Sequence, residues 1–196
     1  PETLRLGFLV RNEDAARALQ PVSVLAGTMF SRLRILSGGT LIEDINLHSR
    51  QVNMFHACLP PERQYMDAAE GFGVAAQTPG TTAVEWIPEQ IPAGGERRVC
   101  MNLMCGLFSQ HLWLPLSYLP ITIELELGGF NDAFAPFYRP GAAVAVQMSQ
   151  QWSLSDARVY CDLCTLDSAL QSSYAAHLQS GKSLPLAISS FVTQTQ

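Results

Sequence analysis

The stretch "LPLSYLPITIELELGGFNDAF", Leu114 to Phe134, decides the fold class. Ile121, Ile123, Leu125 and Leu127 alternate with Thr122, Glu124 and Glu126. A period of two puts the four aliphatic side chains on one face of a strand and the polar ones on the other. Pro115 and Pro120 announce this strand, and an apolar, aromatic stretch follows it. Proline cannot donate to a ladder, so both prolines limit pairing at the strand's entry.

The same alternation recurs along the chain. Leu4, Leu6, Phe8 and Val10 mark a half-buried strand, and "TMFSRLRILSGGTLIEDI" puts Leu33 and Ile35 inward with Arg32 and Arg34 outward. Gly38-Gly39 then predicts a hairpin turn. Val99, Met101, Leu103 and Cys105 share one face of a further strand, and Ala157, Val159, Cys161 and Leu163 line the inner face of another. A helix is predicted over about 46–59, where Ile45, Val52, Phe55 and Leu59 fall on one face and Pro60-Pro61 stops it. "PERQYMDAAEGFG" predicts a short second helix, with Pro61 in its first turn and Gly71 beyond its end. "LDSALQSSYAAHLQSG" predicts another, capped by Asp167 or Ser168 and closed by Gly181. Residues 74–95 and 128–150 lack periodicity, and "KSLPLAISSFVTQTQ" is a candidate final strand. Five or more strands with only short helices between them disfavour a parallel βαβ sheet. The expected fold is all-β, an antiparallel jelly-roll (Greek-key) sandwich with short helical insertions.

Composition narrows the function. Only 15% of residues are charged, against roughly 25% in ordinary globular chains, while 47% are apolar. So poorly charged a surface suits a chain partly covered by other chains. Eleven arginines accompany the single Lys182. Arginine loses less than lysine on burial at an interface, although lineage bias gives the same ratio. The net charge of −5 and the lack of a basic run argue against nucleic-acid binding by charge neutralisation. No apolar run reaches the roughly 20 residues of a membrane helix. Five cysteines in no tight framework point to reduced thiols.

Candidate chemistry is sparse. Cys161 and Cys164 form a C-x-x-C, but three residues apart on a strand they point to opposite faces, which favours structural cysteine over metal or redox work. Parity likewise separates Cys100 from Cys105. His56 and Cys58 would project about 200° apart around a helix, too far to share a proton. Glu124 and Glu126 share a strand face, an arrangement common to a hydrolase pair and to a wet surface. None of His48, His56, His111 and His177 lie two apart, so the paired histidines of a cupin metal site are missing. No nucleophile elbow, phosphate loop or dinucleotide fingerprint occurs. No catalytic residue, cofactor or metal is expected.

What remains is adhesive. "GGFNDAFAPFYRPGAAVAV", Gly128 to Val146, carries Phe130, Phe134, Phe137 and Tyr138 with very little charge. Loops are ordinarily polar because they run over the surface. Such a segment either tucks onto its own sheet or presses against a neighbouring subunit. Trp86 and Trp113 lie in similar settings. Trp113, Phe130, Phe134, Phe137 and Tyr138 are the candidate subunit-interface residues.

Several stretches together resemble a known family. "RLRILSGGTLIEDI", followed by a helix containing "VNMF", resembles the hairpin and helix of viral double jelly-roll major capsid proteins, closest to those of polinton-like viruses and virophage-related elements. "LWLPLSYLPITIELEL" is similar to that family's approach to a late strand of the first roll, and "WSLSDARVYCDLCTLDSALQSSYAAHLQSGKSLPL" to the strand that closes it and the linker beyond. The resemblance covers about 32–59 and 100–186. It implies two upright eight-stranded jelly rolls per subunit, trimers forming pseudo-hexameric capsomers, and an icosahedral virion shell around double-stranded DNA. Neighbouring capsomers, and penton and minor capsid proteins, would be its partners. The chain is short for two rolls of about 100–200 residues each, and it opens on Pro1. The expectation is therefore a piece of such a protein. Residues 1–166 would be the first roll without its opening strand, 167–183 a helical linker, and 184–196 the start of the second roll. A cellular jelly-roll binding module for carbohydrate or protein ligands is the alternative.

Overall fold

The computed structural model describes residues 3–75, 87–138 and 144–193. Its elements run β1 (Arg5–Asn12), β2 (Gln20–Pro21), a 3-10 turn (Ala26–Met29), β3 (Phe30–Ser37), β4 (Thr40–Asn46), α1 (His48–Ala57) and α2 (Pro61–Glu70). β5 (Glu96–Asn102), α3 (Gly106–Ser109), β6 (Ile121–Leu127), α4 (Phe130–Ala133) and β7 (Phe134–Ala135) follow. β8 (Phe137–Tyr138), β9 (Val146–Gln147), β10 (Trp152–Tyr160) and α5 (Ser168–Gln179) complete the order. Strands outnumber helices, and among the described residues the strand pairs are all antiparallel.

Two three-stranded sheets dominate, with orders β10-β1-β5 and β4-β3-β6. Sequence patterning explains which faces meet. Phe8 and Val10 of β1, Val99 of β5, Leu33 and Ile35 of β3 and Ile45 of β4 are all buried in one shared core cluster. Their intervening neighbours turn outward, so each sheet has one dry face and one wetter one. Gly38 and Gly39 have φ of +53° and +84°, the left-handed pair that a two-residue hairpin demands and that glycine adopts without strain. β3 pairs with β4 through this turn and with β6 across a long connection.

The outer face of β4-β3-β6 is held by charge. Arg32 donates to Asp44 through Nε at 2.7 Å and Nη2 at 2.5 Å, and Arg34 pairs with Glu124 at 2.8 Å. The hydrogen bond from Arg32 holds the Asp44 carboxyl below its ordinary range.

Four expectations are corrected. Ile45 belongs to β4 rather than to the helix, and Phe55 lies exposed on α1, its ring 5.3 Å from that of Phe191. Helix α1 instead buries His48, Gln51 and Val52, because its short span presents its first turns to the 3-10 turn and β3. β10 ends at Tyr160, which leaves Cys161 and Leu163 beyond the strand. Residues 184–193 form no strand. Leu186, Ile188 and Phe191 of this segment rest half-buried against the core. Pro185 removes one ladder donor there.

Candidate interaction surface

The two sheets do not cover one another completely. β6 and β10 are outer strands of their respective sheets, and an open apolar groove of about 420 Å3 runs between them. Phe8, Phe30 and Leu103, all buried, form its floor. Ile123 and Leu125 of β6 line one wall, and Leu154, Ala157 and Val159 of β10 the other. Val159 keeps 50% of its surface exposed and Leu127, at the end of β6, 47%. Ile121, Ile123 and Leu125 pack against the core as their alternation predicts, whereas Leu127 is exposed and Ala157 and Val159, expected on an inner face, line the open groove instead. Among the described residues no layer covers that end, and Ala157 and Val159 of β10 are exposed there.

A register shift opens β10 at this point. Gly7 of β1 lies opposite Arg158 and Leu9 opposite Ser155, so the β10 side carries one residue more. Asp156 sits in that bulge with φ of +50°, a conformation that short polar residues tolerate better than most. Its carboxylate takes ion pairs from Arg98 of β5 and from Arg158 Nε, the latter at 2.7 Å. These two arginines hold Asp156 below the usual carboxylate range.

The five aromatic candidates separate. Trp113 is 62% exposed in the connection between α3 and β6, beside exposed Leu112, Leu116 and Tyr118. That connection is tied by its own polar groups. Leu112 N–H donates to Gln110 Oε1 at 2.6 Å, and Gln110 Nε2 donates back to Leu112 O at 2.7 Å. The N–H groups of Tyr118 and Leu119 both reach Pro115 O. Pro115 thus starts a turn two residues beyond Trp113. Phe137 on β8 is also exposed, at 59%, while Tyr138 beside it is half-buried.

Phe130 and Phe134 belong to the chain's own interior. Phe134 has no exposed surface and packs against Trp152 and Phe72, with ring centroids 4.9 and 6.2 Å away. Phe130 lies half-buried, 6.0 Å from Phe134. Placing Phe134 at a subunit interface is therefore corrected. The sequence "GGFNDAF" folds into the one-turn helix α4, with Gly129 N–H donating to Asp132 Oδ2, and this turn swings Phe134 inward. Trp86 lies outside the described residues.

His56 Nε2 donates to Gln64 O at 3.2 Å, and Gln64 Nε2 donates to His56 O and Leu59 O, which joins the end of α1 to α2. Cys58 is exposed. Cys161 and Cys164 are both exposed beyond β10, so the opposite-face geometry expected of a strand does not arise. Among the described residues, no group of three or more His, Cys, Asp and Glu side chains is placed to hold a metal ion. No described helix is long and apolar enough to cross a membrane.

One buried acid escaped the sequence reading. Glu43 is 2% exposed on the inner face of β4, opposite Ile35. Its signal was parity: it shares the inner row of Ile45, where a carboxylate needs a buried partner.

No family model matches the chain, and neither a curated protein nor a solved structure matches it.

Proposed function

We propose that this chain is a structural subunit of the icosahedral capsid of a double-stranded DNA virus, forming most of the first jelly roll of a double jelly-roll major capsid protein. The observation that carries this reading is the sandwich left open between β6 and β10, where buried core residues floor an apolar groove. A monomer that lives alone in water ordinarily covers such a surface. Exposed Trp113 and Phe137 add apolar area elsewhere, and strand pairs joined by long connections, β1 with β10 and β3 with β6, are compatible with jelly-roll winding.

In this role the chain performs no catalysis. It would trimerise into capsomers that tile a shell in the virion, with the groove and the exposed aromatics taken up in contacts. Expression of the whole gene product should yield trimers by mass photometry and capsomers or shells in negative-stain images. A gene product that stays strictly monomeric at every concentration sinks the proposal.

Trp113 supports a second reading, a carbohydrate-binding module, because an exposed indole on a tied loop can stack on a sugar ring. Glycan binding abolished by Trp113→Ala would favour it over the capsid.

A further inference from the structure

The groove between β6 and β10 has a property that points to its occupant. Both of its walls are outer strands, so each offers a backbone edge without a strand partner among the described residues, alongside the apolar trough. A two-fold axis perpendicular to the sheets brings each outer strand against its own counterpart in antiparallel sense, which is the self-complementary arrangement of an isologous dimer. Charge selects the register on β10. Asp156 and Arg158, which pair with each other within one chain while Arg98 also holds Asp156, flank Ala157. A pairing centred on Ala157 puts Asp156 opposite Arg158 of the second copy, and Arg158 opposite its Asp156. Opposite charges across a strand pair are favourable, and like charges are not.

The bulge at Asp156 strengthens this choice. A regular strand laid along β10 would lose register at the extra residue. A second β10 carries the same irregularity, and the two-fold axis places both irregularities beside each other. Leu154 and Val159 of both copies then close the open end of the groove.

We propose that two copies of the chain dimerise through β10, centred on Ala157, and cover the apolar groove between β6 and β10. The inference stands on the groove and the strand alone and does not rest on the capsid reading.

The test is a charge exchange on the full 196-residue chain. Wild-type protein should sediment as a dimer over a concentration series. Arg158→Asp and Asp156→Arg should each be monomeric, because each sets like charges opposite one another twice. Mixing the two variants should restore a dimer containing one of each, since both cross-strand pairs are then opposite in sign. Both residues are exposed, and circular dichroism with thermal melting confirms that the variants fold. A wild-type chain that remains monomeric overturns the proposal, as does a dimer indifferent to both substitutions or a mixture that stays monomeric.

Discussion

The carboxylate of Glu43, on the inner face of β4, accepts the backbone N–H of Leu107 at 2.7 Å, and its other oxygen takes that of Gly106 at 3.0 Å. One buried acid thus satisfies two donors at the start of α3 and ties β4 to the segment that leaves β5. Glu43→Ala leaves those N–H groups without their acceptor inside the protein. At about 1–3 kcal/mol for each of the two buried unsatisfied groups, the loss should be about 2–6 kcal/mol. Glu43→Gln keeps one acceptor oxygen and should fall between Ala and wild type. Urea unfolding followed by tryptophan fluorescence measures both, and equal stability of all three proteins would contradict the role.

His48 opens α1 with no exposed surface, its Nδ1 3.3 Å from Gly27 O. Burial lowers its pKa below the ordinary 6.5. The folded state therefore prefers neutral imidazole, while the unfolded chain takes up a proton below about pH 6.5. Stability from this residue is complete above that pH and declines as pH falls toward the lower folded value. Asp44 acts in a separate window. Its pKa is depressed from 3.8, so its contribution is lost only as pH falls through that lower value. Urea midpoints between pH 7.5 and 5 should drop for wild type and change less for His48→Gln. Parallel curves would show that another group dominates.

Phe134 and Phe137 lie three residues apart and have opposite fates. Phe134→Ser removes a fully buried ring and should cost about 3–5 kcal/mol of stability, the range for large aromatic truncations. Phe137→Ser alters an exposed side chain and should stay within about 0.5 kcal/mol. Calorimetric melting separates the two cases, and similar losses at both positions would contradict the burial.

Local rules made part of this architecture legible. The alternation at Ile121–Leu127 matched β6 end to end, Gly38-Gly39 made its hairpin, and Asp167 capped α5 by accepting Leu170 N–H at 2.7 Å. Each depends on neighbours within a few residues. Phe55, Val159 and Phe134 depend on what lies across the fold instead. Periodicity marks the apolar face of β10, but cannot say whether a facing layer covers it. The aromatic run after Leu127 read as one adhesive loop because hydrophobicity does not report the turn of α4, which sends Phe134 inward while Phe137 stays outside. Glu43 was readable only as a charge in an apolar row, since its N–H partners lie more than sixty residues away.

The five free cysteines should divide by burial when titrated with a thiol-specific disulfide reagent. The attacking species is the thiolate, so both access and pKa set the rate. Cys58, Cys161 and Cys164 are exposed and should react first. Cys100 is partly covered on β5, and burial raises its pKa, so it should follow more slowly. Cys105 has no exposed surface, and burial pushes its thiol up to about 12. At pH 8 that leaves about one Cys105 in ten thousand as thiolate. It should stay silent in the folded protein and react at an ordinary rate in denaturant. Peptide mapping of the labelled protein assigns each site. Labelling of Cys105 as fast as Cys161 under native conditions would mean that the floor between β5 and α3 opens to solvent, contrary to the packing described.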